Sequence, residues 1–254
     1  MFLLVVDIGN TNIVAGLYQG ETLRRSWRLS SRRDMTSDEL AVLFKGLLDD
    51  DAERVRDGVV ASVVPPLTAQ VVAAVRALVG VDPLEVVPGI RTGLRIRTDN
   101  PQEVGADRIL NAVAAHARHG GPCVVVDFGT ATTLDVVTSE GDYLGGIITP
   151  GPRLGADALS ARAARLPRVD LSLPPRVIGR NSVDSIRSGV LYGHAAMVDG
   201  LILRVEEELA MGVKVVVTGG TAPTIAPLMK RVDASDPDLT LEGLRLLHEF
   251  NRKR

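Results

Sequence analysis

Two short segments of this chain carry residues whose types and spacing suit phosphate chemistry. Val5-Val6-Asp7-Ile8-Gly9-Asn10-Thr11 stands near the start, and Val125-Val126-Asp127-Phe128-Gly129-Thr130-Ala131-Thr132 repeats its grammar in the second half. Each is an apolar run ending in an acid, followed by a glycine and then by hydroxyl or amide side chains. Glycine lets the backbone turn tightly and aim successive amides at an anion, while Asn10, Thr11, Asn12 and Thr130 add side-chain donors. Asp7 and Asp127 cannot face phosphate comfortably. Their natural role is to hold hydrated magnesium, which keeps several waters and takes one or two carboxylates. A single copy would read as an ordinary strand end. Two copies in matching contexts predict a polyphosphate held by two related halves, as ATP-dependent phosphoryl transfer with Mg2+ requires.

Other residues fit around this pair. In Asn100-Pro101-Gln102-Glu103-Val104-Gly105-Ala106-Asp107-Arg108, Asn100 reads as a helix cap, Pro101 as a first helical position and Glu103 as the closing member of a capping box. A helix started there presents Asp107 and Arg108 beside the small residues Gly105 and Ala106. Asp107 is then placed to accept a hydroxyl proton and Arg108 to orient an anionic group, the alternative being a surface charge pair. Gly145-Gly146-Ile147-Ile148-Thr149-Pro150-Gly151 suits a pocket wall, and Thr218-Gly219-Gly220 suits a nucleoside-side loop. The spacing of a P-loop is absent, and no Gly-x-Gly-x-x-Gly opens a helix after a strand, which argues against those two nucleotide-binding classes. His116, His119, His194 and His248 have no cysteine or acid at zinc-ligand spacing and read as structural or surface residues.

The elements that must position these residues follow from periodicity. Phe2 to Val6, Ile13 to Leu17 and Leu23 to Leu29 read as three antiparallel strands. Thr36-Ser37-Asp38-Glu39 is a capping box, after which Leu40, Leu43, Phe44, Leu47 and Leu48 share one helical face. Val59 to Val64 reads as a buried strand, Pro66 to Gly80 as a helix with a glycine stop, and Leu84 to Val87 as a further strand. From Cys123 the plan recurs, with strands to Asp127, from Thr132 to Val137 and from Tyr143 to Ile148. A long helix follows from Ser182 to Leu209 with Asn181 as its cap. Its interior Gly189, Gly193 and Gly200 predict close packing against a helix, a ligand or a second subunit. Val215 to Val217 is a last clear strand, and Thr240 opens a final helix. This is a duplicated mixed α/β plan, expected to divide into domains over 1–115 and 116–254.

Composition agrees with that plan. At 254 residues, 45% hydrophobic and 24% charged, the chain has material for two globular cores. A net charge of −2 argues against a general affinity for nucleic acid. Arg24, Arg25, Arg28, Arg32 and Arg33 crowd around Trp27, but alternation over Leu23 to Leu29 makes that region a solvated strand face. Cys123 has no partner for a disulfide and reads as a buried thiol in a reducing compartment. The apolar stretch Phe2 to Val6 is broken at once by Asp7, so neither a signal peptide nor a membrane span is expected and the location is taken as cytoplasmic.

Together the motifs resemble the type III pantothenate kinases, a branch of the superfamily that includes actin, sugar kinases and the heat-shock ATPase chaperones. The likeness runs in order through Asp7-Ile8-Gly9-Asn10-Thr11, Pro88-Gly89-Ile90-Arg91-Thr92-Gly93, Glu103 to Arg108, Asp127 to Thr132, Gly145-Gly146 with Pro150-Gly151, and Thr218-Gly219-Gly220. The resemblance implies two ribonuclease-H-like halves in a homodimer. It also implies transfer of the ATP γ-phosphoryl group to the primary hydroxyl of pantothenate, the first step towards coenzyme A. By the family pattern Asp7, Ile8, Gly9, Asn10, Thr11, Asn12, Ile13 and Val14 hold ATP phosphates, Thr130 adds an ATP contact, and Asp127 binds a monovalent cation (K+ or NH4+). Gly105, Ala106, Asp107 and Arg108 bind pantothenate, with Asp107 as general base. Thr98 stands where many members carry tyrosine. Ser182 stands where threonine is usual and keeps the hydroxyl of a substrate contact. The residues alone leave open another phosphotransferase, a polyphosphate phosphatase or a nucleotide-binding regulatory protein on the same fold.

Overall fold

The computed structural model describes residues 1–252. Contacts divide it into two compact units, one formed by Met1–Ala114 with the chain from Asp238 onward and the other by Ala115–Pro237. The first unit opens with β1 (Phe2–Ile8), β2 (Asn12–Gln19) and β3 (Thr22–Ser30), followed by α1 (Ser37–Leu48), β4 (Val55–Ser62), α2 (Pro65–Val79), β5 (Leu84–Glu85), β6 (Arg95–Ile96) and α3 (Ala106–His119). Its sheet runs β3-β2-β1-β4-β5. β1 pairs antiparallel with β2 and parallel with β4, so Asp7 lies between Val14 and Ala61. A strand with neighbours on both edges and layers on both faces must be apolar almost throughout, which is why β1 reads Phe-Leu-Leu-Val-Val before its acid.

One face of this sheet packs Leu4, Val6, Ile8, Ile13 and Leu17 against Leu40 and Phe44 of α1 and Leu67, Val71 and Val75 of α2. The expected capping box holds at α1, where Glu39 N donates to Thr36 Oγ1 (3.3 Å) and Thr36 N donates to a Glu39 carboxylate oxygen (2.8 Å). Gly80 ends α2 at φ +77°, the left-handed stop that the sequence predicts. At the edge, β3 turns Arg24, Arg25 and Arg28 to solvent, with Arg25 stacked 5.5 Å over Trp27 and bonded to Asp51 (2.6 Å).

The second unit contains β7 (Cys123–Phe128), β8 (Ala131–Val137), β9 (Asp142–Pro150), α4 (Pro152–Arg162), α5 (Ser182–Leu209), β10 (Lys214–Thr218), α6 (Ala222–Ile225) and β11 (Ala234–Ser235). Its strands run β11-β10-β7-β8-β9. Read from the far edge, this is the order of the first unit: a three-stranded meander with two parallel strands added beyond its first member. Val124, Val126 and Phe128 of β7 pack with Leu191, Ala195 and Val198 of α5 and with Val215 and Val217 of β10. Asn181 caps α5 by accepting from Asp184 N (2.8 Å).

The chain then closes with α7 (Leu239–Arg252), which packs on β1, β2 and β4 of the first unit. The sequence reading assigned this helix to the C-terminal half, because nothing in its own pattern states which sheet covers it. Gly243 meets α3 so closely that a Cβ there would fall on the backbone of Leu110. Thr240 Oγ1 donates to Asn111 Oδ1 (2.7 Å), and Arg245 makes two hydrogen bonds to Glu242 (2.8 and 3.1 Å) that hold its guanidinium above the usual range. Asp57 of β4 receives Arg252 Nε (3.2 Å) and lies 2.9 Å from His248 Nε2.

Three other expectations change. The helix carrying Asp107 begins at Ala106, because Val104 is extended and the preceding turn over Pro101–Glu103 is only a short 3-10 helix; the Asn100 side chain caps no amide there and instead donates to the Glu103 carboxylate (2.6 Å), while its carbonyl accepts from Glu103 N (3.1 Å). Of the alternatives for Gly189, Gly193 and Gly200, packing against a helix of the same chain is not met, since a Cβ on any of them meets nothing within 4 Å among the described residues. α4 was not expected, because its apolar residues follow a glycine-rich strand without a capping side chain. Among the described residues no helix is long and apolar enough to cross a membrane.

Two outcomes test this packing. Gly243→Ala should lower unfolding stability by about 1–3 kcal/mol through overpacking against Leu110; an unchanged urea midpoint would contradict the contact. Burial pushes the Cys123 thiol up to about 11, so it stays protonated well above neutral pH. Iodoacetamide at pH 8 should therefore leave it unmodified until the protein unfolds, and rapid alkylation of the native chain would refute that.

Candidate active site

The first glycine turn sits where β1 ends between its two neighbours. Gly9 N donates to Asn12 O (2.9 Å), which closes the turn, and Val63 N donates to Ile8 O (3.0 Å), which ties it to the end of β4. Ser31 secures the outer side: its Oγ donates to Gly9 O (2.6 Å) and its N to Thr11 O (3.0 Å). Asn10 and Thr11 face solvent and Asp7 is half-buried, whereas Ile8 and Ile13 are fully buried in the core. Thus Ile8 and Ile13 can offer a ligand only their backbone, and the side-chain donors are Asn10, Thr11 and Asn12.

The second turn is also closed by its glycine amide but is one residue shorter. Gly129 N donates to Ala131 O (3.1 Å), two positions on where Gly9 reaches three, and Thr221 donates to Phe128 O through both its N (3.1 Å) and its Oγ1 (2.9 Å). Two further glycines are required by close approach. Gly219, at φ +97°, leaves no room for a Cβ against the Asp127 carboxylate and the Phe128 backbone, and Gly151 leaves none against the carbonyls of Gly129 and Thr130. Gly151 N also donates to Thr130 O (3.0 Å). The turn is therefore held between the ends of β9 and β10. The sequence singled out Thr218-Gly219-Gly220 as a nucleoside-side loop and Gly145 to Gly151 as a pocket wall, and the fold brings Gly219 and Gly151 onto Asp127–Ala131.

Asp107 occupies the first turn of α3, half-buried, with its Oδ1 accepting Arg108 N (2.9 Å). A carboxylate at this end is favoured by the amides of the first turn. A Cβ at Gly105 would stand 2.6 Å from Asp107 Oδ1, so a side chain there would turn this carboxylate aside. Thr98 belongs to the same unit, and its buried hydroxyl has no hydrogen-bond partner among the described residues. Ser182 is the first residue of α5 and borders a cavity of about 800 Å³ with Gly151, Gly155, Gly189, Gly193 and His194. Two of the open glycines of α5, Gly189 and Gly193, thus face this cavity. Ser31 and Thr221 escaped the sequence reading, and His194 was read only as structural or surface, since a serine, a threonine and a histidine outside any motif give no signal of where the chain will place them.

Among the described residues no cluster of three or more histidines, cysteines or acids is arranged to hold a metal. Asp7 and Asp127 each offer a single carboxylate beside exposed turn donors, a set that fits a magnesium ion shared with substrate phosphates rather than a protein-only cage.

The geometry agrees with the comparisons to known proteins. The sequence model of the type III pantothenate kinases matches residues 3–204. The type III pantothenate kinase of Moorella thermoacetica is 47% identical over 252 residues, covering 98% of this chain and 99% of that protein. Among solved structures, the ROK hexokinase of Thermus thermophilus matches with a TM-score of 0.56 at 14% identity, over 100% of this chain and 99% of that one. The (R)-2-hydroxyglutaryl-CoA dehydratase component A of Acidaminococcus fermentans matches with a TM-score of 0.58 at 14% identity, over 100% and 98%. These structural likenesses show the shared fold, duplicated ribonuclease-H-like domains of the actin-like class, and the sequence match is far more specific: the chain belongs to the type III pantothenate kinase family.

Proposed function

We propose that this protein transfers the γ-phosphoryl group of ATP to the primary hydroxyl of pantothenate, giving 4'-phosphopantothenate for coenzyme A synthesis. The observation that carries the reading is the duplicated turn, in which Gly9 and Gly129 close equivalent strand ends and leave donors facing outward. In this reading Asp7 to Val14 hold ATP phosphates, through the side chains of Asn10, Thr11 and Asn12 and the backbone of the rest, and Thr130 adds a contact. Gly105, Ala106, Arg108 and Ser182 bind pantothenate. The cavity that Ser182 borders supports the role of that residue, its walls being mostly apolar with a few polar groups such as Arg180, Asn181 and Ser185.

Asp107 is the general base. Its Oδ1 is engaged by Arg108 N, so the carboxylate is held in one orientation, and its other oxygen receives the hydroxyl proton as the phosphorus–oxygen bond forms. Arg108 orients the pantothenate carboxylate. The turn amides stabilise charge on the transferring group, and a bound divalent metal neutralises charge on the phosphates. Asp127 holds a monovalent cation, K+ or NH4+, or else contributes to the magnesium site; either ion suits one carboxylate packed under Gly219. The active form is a homodimer in the cytoplasm. Exposed Leu154 of α4 and exposed Leu203 of α5, neither of which lines the cavity at Ser182, support a second copy packed against these helices.

Two measurements test the reading. ADP release from Mg-ATP with pantothenate should need potassium rather than sodium, and Asp107→Asn should lower kcat by about 10²–10⁴ while KM for ATP stays within about twofold. Undiminished turnover in the variant would remove Asp107 from its role, and ATP binding without pantothenate-dependent turnover would shift the function to another acceptor or to regulation. Sedimentation should give twice the 27.0 kDa chain mass, and a monomer active at assay concentration would reject the dimer.

A further inference from the structure

A buried histidine stands directly behind the second glycine turn. His194 is only 8% exposed on α5, and its Nε2 shares a 2.9 Å hydrogen bond with Thr132 Oγ1. Its ring also lies 5.9 Å from that of Phe128, tilted by 58°. Thr132 is fully buried on β8 and stands opposite Phe128 in the β7–β8 register. The two residues that His194 touches are therefore the pair from which the Gly129–Ala131 loop springs. Phe128 is in turn fixed through its carbonyl by Thr221.

Packing alone does not call for histidine here. An apolar ring of similar size would fill the space beside Phe128 without the cost of burying an imidazole. Burial pushes His194 below its ordinary range, so the ring is neutral at neutral pH and its bond to Thr132 adds no charge behind the turn. What the hydrogen bond supplies is direction. It fixes the rotation of Thr132 against a rigid helix, and a satisfied buried polar pair rigidifies its surroundings.

We propose that His194 is a positioning residue for phosphoryl transfer, which acts through Thr132 and Phe128 to fix the backbone that Gly129 and Thr130 present to nucleotide phosphate. This rests on the reading that the turn binds ATP. The second face of His194 borders the cavity assigned to pantothenate, so the same ring joins the nucleotide turn to the acceptor side within this unit.

The test is a double-mutant cycle on the full-length enzyme with His194→Phe and Thr132→Val, both near-isosteric. Each should raise KM for ATP about five- to tenfold, the double variant should be no worse than either single, and His194→Gln should recover part of the loss. KM for pantothenate should change less than about twofold in Thr132→Val, whose side chain lies away from the cavity. Additive losses, equal rises in both KM values for Thr132→Val, or a fall in melting temperature with unchanged KM for ATP would each overturn the proposal. Thr130→Ala is the control for the underlying reading: if it leaves KM for ATP unchanged while Thr132→Val raises it, the assignment of Thr130 fails and the positioning role stands; if neither variant moves KM for ATP, both fail.

Discussion

Backbone approach at the end of a central strand is the constraint on which this molecule depends. β1 and β7 each have hydrogen-bonded neighbours on both edges, so where they stop the chain has little lateral room and must turn within a few residues. Gly9 and Gly129 make that turn, and the strand that follows the crossover reaches back to pin it, through Val63 in one unit and Thr221 in the other. The same tightness that forces glycine leaves outward-facing amides and short polar side chains. A phosphate site therefore arises from how a sheet of this order ends.

The rest of each unit serves that geometry. In the second, Gly219 and Gly151 press on the Asp127–Ala131 turn from two sides, and neither position tolerates a Cβ. Behind it the network passes through Phe128 and Thr132 to His194 and so to a long helix, which gives the loop a rigid back. In the first, Ser31 performs the comparable bracing with two hydrogen bonds to the turn, one from its side chain and one from its backbone. The two copies thus share a topology and a glycine at the strand end, with turns that differ by one residue, while reaching rigidity through different residues. Such divergence is what a duplicated fold allows once each copy has its own ligand contacts to serve.

Asp107 depends on a different device. Its carboxylate is held at the start of α3 by the amide of Arg108, with Gly105 removed from its path. α3 is itself anchored by α7, through the close crossing at Gly243 and the hydrogen bond from Thr240 to Asn111. A C-terminal helix far away in the chain thereby sets the platform on which the proposed base stands.

Much of this was legible from residues alone. The strands around Asp7 and Asp127, the α1 capping box, the stop at Gly80 and the long helix from Ser182 follow from periodicity and local hydrogen bonding, which act over a few residues and leave their mark in adjacent positions. The duplicated turn and the combination of motifs placed the chain in its family for the same reason. What the sequence could not state is decided by pairs distant along the chain: that α7 covers the first sheet, that Gly151 and Gly219 converge on one turn, that Gly189 and Gly193 of α5 face a cavity, and that His194 meets Thr132. The start of α3 belongs here too, because Asn100 and Glu103 form a plausible local cap, yet the extended Val104 delays the helix to Ala106. Local pattern fixes what each segment can become, and only the packing of apolar faces, summed over the whole fold, selects which neighbours it meets.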